Sequence, residues 1–189
     1  MQVDAASGWL RGVRHSPSAH YNERPAGGDI SLLVIHNISL PPGQFGTGCI
    51  HEFFLGALDA GAHPYFAQIA DLRVSAHFLV ERDGQITQFV SCLDRAWHAG
   101  QSCFAGRDNC NDYSLGIELE GTDCQPYTDQ QYASLLALTS ALRKAFPLIS
   151  PERITGHEHI APGRKTDPGP HFDWQRYRGQ LSDNCHGGN

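Results

Sequence analysis

The stretch ISLLVIHNIS, residues 30–39, constrains the fold of this chain more than any other part of its sequence. It starts as an apolar run, and such runs are typical of a strand buried on both faces at the centre of an α/β sheet. His36 lies towards the C-terminal end of the run. Ligand sites in open α/β sheets favour the carboxyl ends of strands, so the sequence places a histidine where a site is expected.

The segments that follow carry strand and helix patterns in turn. Their order is strand, helix, hairpin, strand, helix, strand, helix, which predicts an α/β (α+β) fold with a single mixed β-sheet flanked by helices. A chain of 189 residues without an internal repeat or linker is the size of one domain, so we expect a single domain over residues 1–189. The predicted elements after the first strand are helix 49–58, hairpin 75–91, strand 113–121, helix 128–146, strand 153–160 and helix 173–181.

Local signals mark three of these elements. Asp83-Gly84 is a two-residue turn signal between β-prone flanks. Thr128 and Gln131 have the spacing of a capping box at the start of the best-defined helix. In YSLGIELEG, residues 113–121, apolar and polar residues alternate, which predicts a strand with one packed face and one polar face.

Charge and hydropathy exclude two classes of partner. The formal net charge is −6 and no Lys/Arg cluster is present, so we expect no nucleic-acid partner. The longest helical apolar stretch, 135–142, is broken by Thr139 and Ser140 and is far shorter than the roughly 20 residues of a membrane span. The N-terminus has no basic region followed by an apolar run, so we do not expect it to be a signal peptide. We therefore expect a soluble, cytoplasmic protein. No surface stripe demands a partner, so we expect a monomer.

The cysteines indicate reduced, structural thiols. The chain is long and lacks a secretory signal, which disfavours disulfides. The sequence contains no C-x-x-C pair, which argues against a zinc site built from thiolates. The tail at 182–189 is rich in small polar residues and is expected to be frayed. The six cysteines are Cys49, Cys92, Cys103, Cys110, Cys124 and Cys185.

The segment GHEHIAPGRKTDPGP, residues 156–170, is a second candidate for function. Its proline and glycine content argues against a regular helix or a central strand, and loops held by a scaffold commonly carry chemistry. A catalytic zinc site needs three protein ligands and one open position. His36 is one candidate ligand, and this loop adds His157, His159 and Asp167. Spacing alone does not exclude ordinary hydrogen-bonding or turn roles for these residues, nor three competing histidines: His63, His77 and His98.

A family resemblance sharpens this choice. Between about Gly8 and Tyr177 the chain contains, in order, the blocks LLVIHNISLPPGQFG, LRVSAHFLVERDG, RAWHAG, CNDYSLGIELEGTD and TGH…IAP…RKTDPG…FDW. These blocks closely resemble the AmpD family, cytoplasmic amidases that remove peptides from 1,6-anhydro-N-acetylmuramic acid in bacterial cell-wall recycling. The family shares its fold with the phage T7 lysozyme amidase and the peptidoglycan-recognition proteins, which implies a mixed sheet with flanking helices and a muropeptide substrate.

The resemblance also implies roles for individual residues. Glu118 would be the general base and Lys165 would stabilise the oxyanion. Glu118 and Glu120 share the polar face of one predicted strand, so spacing does not choose between them and the resemblance chooses Glu118. The implied ligands of one Zn²⁺ ion are His36, His157 and Asp167.

The substrate side rests on weaker features. Aromatic faces suit sugar rings and arginine suits carboxylates, although core packing and surface ion pairs are equally ordinary roles for such residues. Asn109 stands where the family often has a basic residue before C-N-D, and Arg107 is a candidate replacement. His159 also departs from the small polar or acidic residue common in the family. The residues that resemble the family's pocket wall are Asn37, Tyr65, Arg73 and Trp97.

Two other functions fit parts of the pattern. A peptidoglycan-binding module without activity would lack part of the metal and catalytic set, whereas all five positions are filled here. Two histidines and one carboxylate also describe the iron site of non-haem oxygenases. Residues 41–72 are rich in proline, glycine and aromatic residues, and we expect part of this segment to act as a mobile lid.

Overall fold

The structure, a computed structural model, describes residues 1–26 and 29–183. Its strands are β1 Gln2–Val3, β2 Leu10–Arg11, β3 Arg14–His15, β4 Tyr21–Asn22, β5 Leu32–Ile38, β6 Phe78–Val80, β7 Ile86–Gln88, β8 Arg95–Ala96, β9 Cys103–Phe104, β10 Arg107–Asp108, β11 Ser114–Glu120 and β12 Ile154–Gly156. Its α-helices are α1 Cys49–Phe54, α2 Phe66–Ile69, α3 Asp129–Ala145, α4 His157–Ile160 and α5 Trp174–Asp183, and 3₁₀ turns cover Cys110–Asp112 and Pro151–Arg153.

One six-stranded mixed sheet organises the chain, in the order β12-β5-β11-β6-β7-β3. The first four strands are parallel, and β7 runs antiparallel to β6. The predicted single mixed sheet flanked by helices is therefore confirmed. The short strands form separate pairs, β1-β2, β4-β8 and β9-β10.

The predicted central strand, β5, is buried on both faces. Leu33 and Ile35 pack in one cluster with residues of α3 and α5, such as Leu135 and Tyr177. Leu32 and Val34 pack on the opposite face against α4 and the 3₁₀ turn at 110–112. This two-sided cover is the reason that the strand reads as a continuous apolar run.

The alternating pattern of β11 predicts one polar face, but the structure buries both. β11 lies between β5 and β6, so it is a central strand rather than a half-exposed one. Ser114 is fully buried and Glu120 is 4 % exposed. The polar side chains of this strand therefore face the protein interior, where each needs a hydrogen-bonding partner or a function.

The helix predicted from a capping box agrees best with the structure. Thr128 accepts the backbone N–H of Gln131 and forms the predicted capping box of α3. Helix 49–58 is shorter than expected, because α1 ends at Phe54 and Gly56 adopts a positive φ of 69°. Leu58 is nevertheless buried in the same cluster as α1. The apolar spacing at the end of the predicted helix therefore reflects core packing and not helical structure.

Two turns differ from expectation. Glu81 and Gln85 close the hairpin, so three residues separate them instead of two, with Gly84 in the left-handed region at φ 85°. Within the proline- and glycine-rich segment, His157–Ile160 forms one helical turn directly after β12. The strand predicted over 153–160 is therefore restricted to Ile154–Gly156.

Two further expectations concern membrane-spanning helices and the C-terminal tail. No helix among residues 1–26 and 29–183 combines the length and the apolar character that crossing a bilayer requires. Residues 184–189 of the tail that is expected to be frayed lie outside the described residues.

Candidate metal centre and active site

Three parallel strands end together at one edge of the sheet. Glu118 of β11 is the register partner of His36 of β5, and Gly156 of β12 is the partner of Ile35. The residue after Gly156 is His157, which therefore lies level with His36 at this edge. The segment after α4 brings Asp167 back to the same place, where it contacts both histidines.

The three side chains present metal-binding atoms to one point. The Nδ1 atoms of His36 and His157 are 3.0 Å apart, and each lies 3.0 Å from Oδ2 of Asp167. A point just off the centre of such a triangle is about 2 Å from all three atoms, the usual Zn–N and Zn–O distance. The two imidazoles are 1 % and 3 % exposed, so a cation there would be held by protein on one side.

The shorter outer contact of the His157 ring favours one tautomer. Nε2 of His157 lies 3.1 Å from the backbone oxygen of Ala99, which can only accept a hydrogen bond. In the neutral ring Nε2 therefore carries the proton and Nδ1 offers its lone pair to the centre of the triad. This is the arrangement that a metal-ligating histidine requires.

Burial and mutual contact set the charges of His36 and Asp167. Burial lowers the pKa of His36 to about 4, against the opposing effect of Asp167. Burial alone would raise the pKa of Asp167, but the neighbouring imidazoles of His157 and His36 outweigh burial and hold that pKa well below the usual range. A neutral imidazole beside an ionised carboxylate is the state that binds a divalent cation without first losing a proton.

The structure separates the two glutamates that share a face of β11. Oε1 of Glu120 accepts the backbone N–H of Gly46 at 2.6 Å, and its Oε2 accepts that of Arg82 at 3.1 Å. Oε2 of Glu118 is buried and has no hydrogen-bond partner among the described residues. Both oxygens of Glu120 therefore bind backbone N–H groups of two loops, whereas Oε2 of Glu118 is available to a ligand.

Glu118 faces a cavity rather than the core. The cavity has a volume of ≈ 640 Å³ and is also lined by Asp167 and Lys165. Burial, followed by the charge of Asp167, raises the pKa of Glu118 well above its ordinary value, and the charge of Lys165 opposes that rise. A carboxyl group with a raised pKa at a cavity wall is suited to exchange protons with a bound molecule.

The residues predicted to bind substrate are only partly brought together. Tyr65, Trp97 and Asn37 line the cavity. Nδ2 of Asn37 donates to Asp123 and to the backbone oxygen of Pro168, so it also holds the segment that carries Asp167. Arg73 is exposed and is not among the lining residues.

Asn109 and His159, which depart from the family pattern, lie outside this cavity. Asn109 adopts a left-handed backbone, with φ 56°, and lines a separate cavity of ≈ 500 Å³. The guanidinium of Arg107 lies 4.0 Å from the centre of the Tyr113 ring. His159 is exposed on α4, where its Nδ1 is 3.7 Å from Glu158 and it takes no part in the triad.

Some residues at the site carried no signal in the sequence. Oδ1 of Asn111 accepts the backbone N–H groups of His98 and Ala99, and Nη2 of Arg164 donates to the Ala99 oxygen at 2.6 Å. The hydroxyl of Tyr127 donates to the backbone oxygen of Pro168. These partners are far apart in the chain, so only the folded arrangement identifies them.

Comparison with known proteins identifies the family of this chain. Residues 26–170 match the family model described as N-acetylmuramoyl-L-alanine amidase. A 1,6-anhydro-N-acetylmuramyl-L-alanine amidase AmpD from Escherichia coli K12 is 58 % identical over 175 residues, covering 93 % of this chain and 95 % of that protein.

Solved structures show the same relationship. A crystal structure of a selenomethionine derivative of AmpD superposes with a TM-score of 0.92 at 56 % identity, covering 96 % of this chain and 99 % of that one. The amidase AmiD from Escherichia coli, solved with anhydro-N-acetylmuramic acid-L-Ala-D-γ-Glu-L-Lys, gives a TM-score of 0.60 at 30 % identity, covering 85 % of this chain and 61 % of that one.

Proposed function

The chain belongs to the N-acetylmuramoyl-L-alanine amidase family, and from that premise we propose that it is a zinc-dependent amidase acting on anhydromuropeptides. It hydrolyses the amide bond between the lactyl group of 1,6-anhydro-N-acetylmuramic acid and L-alanine of the stem peptide, in peptidoglycan recycling. The observation that carries the proposal is the convergence of His36, His157 and Asp167 beside the unpartnered carboxylate of Glu118.

The donor set supports a single zinc ion. Two imidazole nitrogens and one carboxylate oxygen are ligands that zinc accepts, and three protein ligands are typical of catalytic rather than structural zinc sites. Asp167 and His157 also line the cavity, so a fourth position would face it. A bound Zn²⁺ ion supplies Lewis acidity and lowers the pKa of bound water to about 7.

Glu118 is the group that moves protons in the proposed mechanism. Its free Oε2 can accept a proton from the attacking water and then donate it to the departing nitrogen of L-alanine. Burial favours the protonated form once the proton has been accepted, because the neutral carboxyl is easier to hold away from water. General acid–base catalysis of this kind contributes about 10²–10⁴-fold.

Lys165 supplies positive charge where the reaction develops negative charge. It is an exposed residue on the cavity wall, and its backbone N–H donates to Ala161 at 3.0 Å, which ties its segment to α4. Because the residue is exposed on the cavity wall, its ammonium group can meet the oxyanion of the tetrahedral intermediate. Unlike the buried triad, this group can adjust to the substrate.

The cavity wall supports a substrate that combines a sugar and a peptide. Tyr65 and Trp97 offer aromatic faces, and Nε1 of Trp97 donates to Asn22, which holds its ring at the wall. We place the sugar against these faces. Arg73, which is exposed and outside the lining, would reach a peptide carboxylate only when substrate draws it in.

We also propose that the chain is one catalytic domain that works as a monomer in the cytoplasm. The family match over residues 26–170 and the single six-stranded sheet support one domain. The three ligands and Glu118 all come from one chain, so the site needs no second copy.

A product assay tests the substrate assignment. The protein is incubated with muramyl peptides that carry either a 1,6-anhydro or an ordinary sugar, and released peptide is separated and identified by mass. We expect free peptide beginning with L-alanine from the anhydro substrate. Cleavage at another bond, or no cleavage of either substrate, would contradict the proposed function.

We propose that the lid is the exposed loop at 42–48. α1 and Phe66 are packed with Phe89 in a buried cluster and are not expected to move freely. The loop lines the cavity through Pro42 and Gly43. It is held by bonds from Gly46 to Glu120 and from Thr47 to Leu40, and by the Arg82 guanidinium, 4.8 Å from the centre of the Phe45 ring.

Hydrogen exchange tests this lid. We expect amides at 43–48 to exchange much faster than those of β5 and to become slower when product is bound, because a closed loop would be shielded from water. The amides of α1 serve as an internal control and should change little. Exchange at 43–48 that is as slow as in the sheet, and unaffected by product, would show that the loop is not a lid.

A further inference from the structure

The segment Trp97–Gly100 lies directly behind the two histidines of the triad. The carbonyl of Ala99 faces Nε2 of His157 at 3.1 Å. One residue earlier, Nδ1 of His98 lies 2.9 Å from Nε2 of His36. Two consecutive residues therefore contact the outer nitrogens of both imidazoles whose inner nitrogens face Asp167.

The position of His98 is fixed on two sides. Oδ1 of Asn111 accepts the backbone N–H of His98 at 3.1 Å and that of Ala99 at 2.8 Å. The His98 ring lies directly on Gly116, where an added Cβ would come within 2.5 Å of its Cγ. The glycine in β11 thus provides the space for this imidazole beside His36.

The two outer contacts differ in what they permit. The carbonyl of Ala99 accepts only, so it allows one tautomer of neutral His157. An imidazole nitrogen either donates or accepts, so His98 allows both tautomers of His36. The second nitrogen of His98, Nε2, lies 3.2 Å from Oγ of Ser114, and a hydroxyl can also donate or accept.

Two complete hydrogen-bond arrangements are therefore available. In the first, Nε2–H of His36 donates to His98 and Nε2–H of His98 donates to Ser114, which leaves Nδ1 of His36 with a free lone pair. In the second, Ser114 donates to His98 and His98 donates to His36, whose Nδ1–H then points at Asp167, 3.0 Å away. Each imidazole carries one proton in both arrangements.

We propose that His98 and Ser114 are positioning residues that let His36 change tautomer when the metal binds. The inference rests on the proposed function, because it assigns the first arrangement to the zinc-bound protein and the second to the metal-free protein. In the change from the second arrangement to the first, Nδ1 of His36 loses its proton through Asp167 to the cavity, and Nε2 of His36 takes the Nδ1 proton of His98. Nε2 of His98 takes the hydroxyl proton of Ser114, and Ser114 regains one from solvent, so each group keeps its proton count.

The direct test is ¹⁵N NMR of the histidine rings, without and with one equivalent of zinc. We expect both His36 and His98 to carry the proton on Nδ1 in the metal-free protein and on Nε2 in the zinc-bound protein. A His98 ring that keeps one tautomer in both states would overturn the proposal.

Zinc affinity provides a second readout that does not depend on activity. Loss of an outer hydrogen-bond partner typically costs about 10–100-fold in metal affinity, and we expect a loss of this size for His98→Ala. His98→Asn should recover much of the loss, because its Oδ1 stands in the place of Nδ1. Ser114→Ala removes only the hydroxyl oxygen and keeps the imidazole of His98, and it should weaken zinc binding. His159→Ala is the matched control, because this exposed histidine makes no contact with the triad.

The outcomes separate this inference from the proposed function. Thermal melting of the metal-free variants establishes that each one is folded before zinc is added. If folded His98→Ala and Ser114→Ala both bind zinc within about twofold of the parent protein, the relay is wrong although the amidase assignment stands. If the parent protein neither binds zinc nor cleaves anhydromuropeptides, the proposed function itself fails.

Discussion

Replacing Glu118 by glutamine is expected to reduce turnover by about 10²–10⁴-fold while leaving one zinc ion bound. The amide has nearly the same size and shape as the carboxylate, so packing at the cavity wall is kept. It cannot take a proton from water at neutral pH, however, and the proposed mechanism assigns that step to Oε2 of Glu118. Steady-state kinetics and metal analysis on the same preparation measure both quantities.

Glu120→Gln is the matched control for this experiment. The two glutamates are two residues apart on β11, but both carboxylate oxygens of Glu120 already accept a backbone N–H group. Its replacement should lower thermal stability and leave most of the turnover of the folded protein. Equal turnover in Glu118→Gln and the parent protein would remove Glu118 from the mechanism.

Asp167→Ala is expected to lose zinc and activity together. The carboxylate supplies one of three converging atoms and the only negative charge among them, so two neutral imidazoles would remain to hold a dication. The loss of zinc affinity should exceed the roughly 10–100-fold expected for a residue in the outer shell, such as His98. Isothermal titration of metal-free protein with zinc measures it.

Asp167→Asn separates charge from shape in the same experiment. Asparagine keeps the size of the side chain but is a poor zinc ligand, so it should behave like alanine in the titration. A variant at this position with a full zinc complement would mean that His159 or another group is the third ligand. The exposed position of His159 argues against that outcome.

The sequence contains more of the fold than of the site. The apolar run at 30–35 predicts a central strand correctly because two-sided burial leaves a local trace in composition. The capping box of α3 is also local, since Thr128 and Gln131 are three residues apart. Features that depend on neighbours in space are missed, such as the burial of the polar face of β11, which follows from its place between β5 and β6.

The site shows the same division. Residue chemistry nominates His36, His157 and Asp167 but leaves other histidines as rivals, and only the register of β5 with β12 explains why His157 lies level with His36. The choice between Glu118 and Glu120 rests on family resemblance until hydrogen bonds show which oxygen is free. The contact between His98 and His36 spans 62 positions in the chain, so no local pattern could reveal it.

The central claim is that one zinc ion at the His36–His157–Asp167 triad enables amide cleavage. The anhydromuropeptide assay, run on chelator-stripped protein and again after one equivalent of zinc is restored, tests it most directly. We predict that stripping abolishes release of the L-alanine peptide and that a single equivalent of zinc restores it. Full peptide release by protein shown to be free of metal would contradict the account.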